Sequence, residues 1–176
     1  MSNPTLKELI IISNLGIEDQ MESRLTELAI LEGITNTAIK ALTLDRVYEL
    51  IDKHCYLYGT PPLPISAFKL GDKAYFLPTD LGKLEYGQWE DIQVVLKNNQ
   101  FGKTDWEKFR YLLYIMTSKD YVKNKLSENI EEGSKIFLDV TAKEVLGLIS
   151  FFQSKEKHYL INTELSSFLM NEIEAH

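Results

Sequence analysis

The chain has 176 residues, 44% of them apolar and 26% charged, which is the size and composition of one soluble globular domain with a real core. Its 19 lysines and arginines are outnumbered by 26 aspartates and glutamates, for a net charge of −7, so sequence-independent binding to nucleic-acid phosphates is excluded as a leading class. A single cysteine, Cys55, allows neither an internal disulfide nor a multi-cysteine zinc site, and fits a reducing compartment.

Met1-Ser2-Asn3-Pro4 lacks the basic start of a secretory signal, and the apolar run Leu9–Ile12 stops at Ser13-Asn14, far short of a membrane span. From Ile17 to Leu31 the residues Ile17, Met21, Leu25, Leu28 and Leu31 recur at steps of three and four, the stripe of an amphipathic helix ended by Gly33. A second helix is expected after Thr43 as N-cap, with Leu44, Val47, Ile51, Cys55 and Tyr58 on its packing face, broken at Gly59-Thr60-Pro61-Pro62. The pattern then alternates. Ala67–Leu70 and Lys73–Leu77 flank Gly71-Asp72 as a tight hairpin, and a third short strand is expected at Lys83–Tyr86.

Helical spacing resumes with Trp89, Ile92 and Leu96. Thr104 and Glu107 form a capping box before Trp106, Phe109, Leu113 and Met116, and Thr141 and Glu144 form another before Val145, Leu148, Ile149 and Phe152. Ser127 to Leu138 is weaker, interrupted by Gly133. A closing helix from Asn162 to Ile173 places Leu165, Phe168, Leu169 and Ile173 on one face. The expected fold is a predominantly α-helical α+β domain spanning residues 1–176. It has about six or seven helices, with a helical body at 17–58 and 88–173 and an antiparallel hairpin insert at 66–86.

No catalytic constellation is legible. His54 and Cys55 diverge by about 100° on a helix, so they cannot activate one another. His54 is read as a partly exposed helix residue and Cys55 as an apolar helix-face residue. The scattered His54, His158 and His176 lack zinc spacing. Glu90 with Asp91, and Glu131 with Glu132, are sequence neighbours that do not face one substrate atom. Trp89 and Trp106 are read as core seals rather than binding anchors, and one of Phe151 and Phe152 as free to touch a partner. No catalytic residue, metal ligand or cofactor site is assigned.

Two stretches carry a resemblance: Phe68–Leu77 leading through Asp80-Leu81 to Leu84–Ile92, and Leu138–Phe152 with its paired phenylalanines. They resemble small helical proteins of tailed bacteriophages, particularly the crAss-like phages of Bacteroidota, encoded among virion and tail-assembly genes. The likeness covers Ile17 to Phe152. Tyr86 stands where that family prefers a smaller residue, and Trp89 is the aromatic that follows the motif glutamine, Gln88. The resemblance implies a non-enzymatic protein located in the virion, and in the host cytoplasm during assembly. Its partners would be other virion or tail proteins, with self-association into a homo-oligomer as a further option and no nucleic acid or membrane insertion. Tyr86, Gln88, Trp89, Asp91, Phe151 and Phe152 are the candidate contact or motif residues. A tail-assembly chaperone is the alternative, and a small host-takeover enzyme ranks below it.

Overall fold

The structure, a computed structural model, describes residues 3–57, 62–78, 83–119, 121–122, 126 and 130–156, the side chains of 152–156 excepted. Among these are eight α-helices and one hairpin: α1 Leu6–Ser13, α2 Gln20–Glu32, α3 Asn36–Lys40, α4 Leu44–Lys53, β1 Ala67–Leu70, β2 Lys73–Phe76, α5 Tyr86–Lys97, α6 Asp105–Thr117, α7 Ile130–Ser134 and α8 Ala142–Glu156. The predominantly helical α+β class with a small antiparallel hairpin is therefore present. The expected closing helix at Asn162–Ile173 lies outside the described residues, as does Tyr58.

Two of the helices were not anticipated from periodicity. Helix α1 starts at a capping box in which the Glu8 carboxylate accepts from the Thr5 amide at 2.8 Å. Helix α3 has only five residues, too few to display a stripe, and is opened by the Thr35 hydroxyl accepting from the Ala38 amide. Helix α2 starts later than Ile17, at the Asp19 cap, and ends with Gly33 in the left-handed conformation.

The hairpin pairs Ala67 with Phe76 and Phe68 with Tyr75 around Gly71-Asp72, with Gly71 at φ +57°. No third strand follows at Lys83–Tyr86. Glu85 instead caps α5, its amide donating to the Gln88 side chain at 3.2 Å, and the chain turns helical at Tyr86.

A chain of aromatic rings fastens the hairpin to the helices. Phe68 stacks on Tyr75 with centroids 5.4 Å apart, Tyr75 meets Phe137 edge-on at 5.2 Å, Phe137 approaches Tyr114 at 6.4 Å, and Tyr114 meets Tyr121 edge-on at 5.8 Å. Phe137, in the 3-10 turn Lys135–Asp139, is fully buried at the centre of this chain. Gly133 belongs to the same arrangement. A Cβ there would lie 2.5 Å from two carbons of the Tyr114 ring, so only glycine lets α7 sit this close to α6.

The amino terminus is tied to the start of α8. Thr5 bridges Thr141, the Leu6 amide donates to the Val140 carbonyl at 2.8 Å, and the Ala142 amide donates to the Pro4 carbonyl at 2.8 Å. Leu6, Leu9, Val145, Leu148 and Ile149 bury their side chains in the large core beneath this junction. A second, smaller cluster of Leu28, Ala29, Ile39 and Leu50 holds α2, α3 and α4 together.

Gly133→Ala is expected to cost about 1–3 kcal/mol because the clamped Tyr114 ring cannot yield. Denaturant unfolding would measure it. Combined with Tyr114→Leu, which opens the space, the loss should be smaller than the sum of the two single changes.

Candidate functional sites

Helix α4 carries the largest departure from the sequence expectation. The face predicted to pack, Leu44, Val47, Ile51 and Cys55, is instead turned mostly to solvent: Leu44 is 73% exposed and Ile51 39%, Val47 is half-buried, and Cys55 is exposed in the 3-10 turn Cys55–Leu57. Leu50 and His54 point inward in its place. Tyr48, 63% exposed, completes an outward apolar stripe with Leu44 and Ile51 at the four-and-three spacing of a helix-pairing seam. Exposed Asp45 and Asp52 each follow a seam residue and give one border of the stripe a negative charge. An apolar seam on solvent, edged with charge, is the feature expected of a surface that another helix covers.

His54 is a correction of a different kind. Read from sequence as partly exposed, it is 1% exposed, where its backbone amide closes the end of α4. Its Nε2–H donates to the Glu32 carboxylate at 2.6 Å, and the Lys53 ammonium donates to the same oxygen at 2.6 Å. The Tyr56 hydroxyl reaches His54 Nδ1 at 3.5 Å. Because a carboxylate only accepts, Nε2 carries a proton toward Glu32. Burial alone would raise the Glu32 carboxyl, but the bonds and charges of Lys53 and His54 outweigh it and hold it below the ordinary glutamate range. Burial, helped by the Glu32 charge, pushes the Tyr56 hydroxyl up to about 12. Glu32 is the last residue of α2, where the helix dipole disfavours an anion, and the two cationic or polar donors from α4 offset that. With the imidazole closed off from solvent, the group works as a clamp between the ends of α2 and α4. The signal for it was the spacing Val47, Leu50, His54, a second face at steps of three and four.

The motif residues of α5 divide between interior and surface. Gln88 donates to the Ile115 carbonyl at 3.2 Å, and buried Asp91 accepts from the Tyr121 hydroxyl, so both hold α5 to its neighbours. Burial, followed by the Asp91 bond, raises the Tyr121 hydroxyl strongly. Tyr86 is 75% exposed and Trp89 is half-buried, while Trp106 is buried in the large core. Phe151 is buried, and the Phe152 side chain lies outside the described residues, with His158 and His176. The neighbouring carboxylates serve different partners. Glu131 binds Arg110 and the Tyr111 hydroxyl, and Glu132 binds Lys135.

Among the described residues, no group of three or more His, Cys, Asp or Glu is placed to hold a metal ion, and no helix is long and apolar enough to cross a membrane. No protein-family model matches the chain, and neither a curated protein nor a solved structure matches it.

The Glu32 clamp has a pH signature. A carboxyl whose folded value is lowered adds stability above its unfolded value, near 4.5, and that contribution is lost as pH falls through the lower folded value. Glu107 and Glu131 act in the same sense and Asp105, raised mainly by burial, in the opposite one. Glu32→Gln should cost about 1.5–3 kcal/mol at neutral pH. Denaturant titrations should show that deficit shrinking at pH well below 4.5.

Proposed function

We propose that this protein acts by binding another polypeptide through the outward face of α4, as a non-enzymatic component of a tailed-phage virion. The observation that carries the contact reading is the solvent-facing seam of Leu44, Tyr48 and Ile51. Three large apolar side chains at helix-pairing spacing gain most when a second helix covers them. The partner that fits is an amphipathic helix with lysine or arginine beside its apolar stripe, because Asp45 and Asp52 border the seam. A second copy of α4 laid antiparallel would bring those aspartates against each other, which disfavours the homo-oligomer at this face. The virion assignment rests on the likeness of Phe68–Leu77, Leu84–Ile92 and Leu138–Phe152 to small virion and tail-assembly proteins of crAss-like phages.

The test combines mass spectrometry of purified phage particles with affinity capture by the wild-type chain and by the double variant Leu44→Glu, Ile51→Glu. The protein should be found in particles and should capture a virion or tail protein, with capture lost in the double variant. Both substitutions are at exposed positions, so stability should stay within about 0.5 kcal/mol of wild type. Capture of a tail protein without incorporation into particles would select the assembly-chaperone role. Capture untouched by the double variant would remove α4 from the interface.

A further inference from the structure

Between the hairpin and the junction of α6 with α7 lies a cleft of about 560 Å³, within the roughly 300–1,000 Å³ range of small-molecule sites. Its walls include Lys73 and Tyr75 from β2, Tyr114 from α6, Lys119 just after that helix, and Glu132 and Gly133 from α7. The cleft shares no residue with the α4 seam, so the two readings stand or fall separately.

Three features of these walls point to one ligand chemistry. The first is charge. Lys73 and Lys119 form no ion pair among the described residues, whereas the Glu132 carboxylate is taken up by Lys135 at 2.6 Å. Among the described wall residues the balance of charge is thus positive, on a chain of net charge −7. The carbonyl end of α6 opposes an anion; the Gln88 side chain donates to the Ile115 carbonyl at 3.2 Å, and the two lysines outweigh what remains of that opposition.

The second is the Tyr114 hydroxyl. Tyr114 is only 7% exposed, its ring is held by Tyr121 and Phe137, and its oxygen would lie 2.8 Å from a Cβ built on Gly133, a wall of the cleft. It has no hydrogen-bond partner among the described residues. Facing the cleft wall, this hydroxyl is free to donate to an acceptor that enters. The third is Tyr75, a half-buried ring lining the cleft and held by stacking on Phe68 and by its edge contact with Phe137, so it is ordered before a ligand arrives.

We propose that this cleft binds a small planar organic anion, an aromatic or heteroaromatic ring bearing a carboxylate or phosphate. Tyr75 receives the ring, Lys73 and Lys119 supply the positive charge, and the Tyr114 O–H donates to the ligand.

Isothermal titration calorimetry on the full chain at low salt tests this with adenosine monophosphate and benzoate as probes, and adenosine, benzamide and inorganic phosphate as controls. At least one probe should bind saturably and about tenfold more tightly than its neutral analogue. Whether it is the nucleotide or the aryl acid identifies the source of the anion. Lys73→Met and Lys119→Met should each weaken binding about tenfold, and Tyr114→Phe about threefold to tenfold. Because the Tyr114 hydroxyl has no partner among the described residues, Tyr114→Phe should leave the melting temperature unchanged, which a hydroxyl serving only the fold would not do. Failure of both probes to bind would overturn the proposal. So would neutral analogues or phosphate binding as tightly as the probes, or binding unaffected by the lysine and tyrosine variants.

Discussion

The fold depends on the contact between the Tyr114 ring and the bare backbone of Gly133. That approach brings α7 onto α6, and the 3-10 turn that follows then delivers Phe137 into the interior, where it touches Phe68, Tyr75 and Tyr114. A two-stranded hairpin is marginal by itself in water. Here its inward ring pair lies against Phe137, so the sheet is stabilised by the helices and in turn walls one side of a cleft. Tyr121 extends the same chain of rings to Asp91 on α5. Polar bonds reinforce the packing around it, with the buried Lys108 ammonium donating to the Leu96 carbonyl at 2.7 Å near the end of α5.

The smaller core has a different consequence. Leu28, Ala29 and Ile39 cover one side of α4 at Leu50, and the Glu32 clamp fixes the end of that helix through His54 and Lys53. Both devices engage the inner face. The outer face, with Leu44, Tyr48 and Ile51, is left to solvent by the same geometry that anchors the inner face of α4. A pre-organised helix loses little conformational freedom on pairing, which is the condition under which a short apolar seam can support specific association.

Local signals were legible where they act over three or four residues. The capping boxes at Thr104 and Thr141, the Gly33 end of α2 and the Gly71-Asp72 turn each specify backbone geometry through a hydroxyl, a carboxylate or a positive φ, and each is where the sequence pattern places it. Thr5 and Glu8 carry the same signal for α1. At Lys83–Tyr86 two local signals competed. Short alternation favoured a strand, but Glu85 and Gln88 provide reciprocal bonds to the first turn of α5, and the helix forms.

Periodicity in the sequence determined that α4 is amphipathic, because apolar side chains at steps of three and four share a face wherever the helix lies. Which face is covered depended on α3, too short to announce itself, and on a carboxylate 22 residues away that draws His54 inward. The cleft has the same origin: Lys73, Tyr75, Tyr114, Lys119 and Gly133 come from three separate segments. Spacing along the chain encodes conformation through bonds between near neighbours. Juxtaposition of distant segments is decided by how rings, a glycine and buried charges fit together, and only the tertiary structure contains that information.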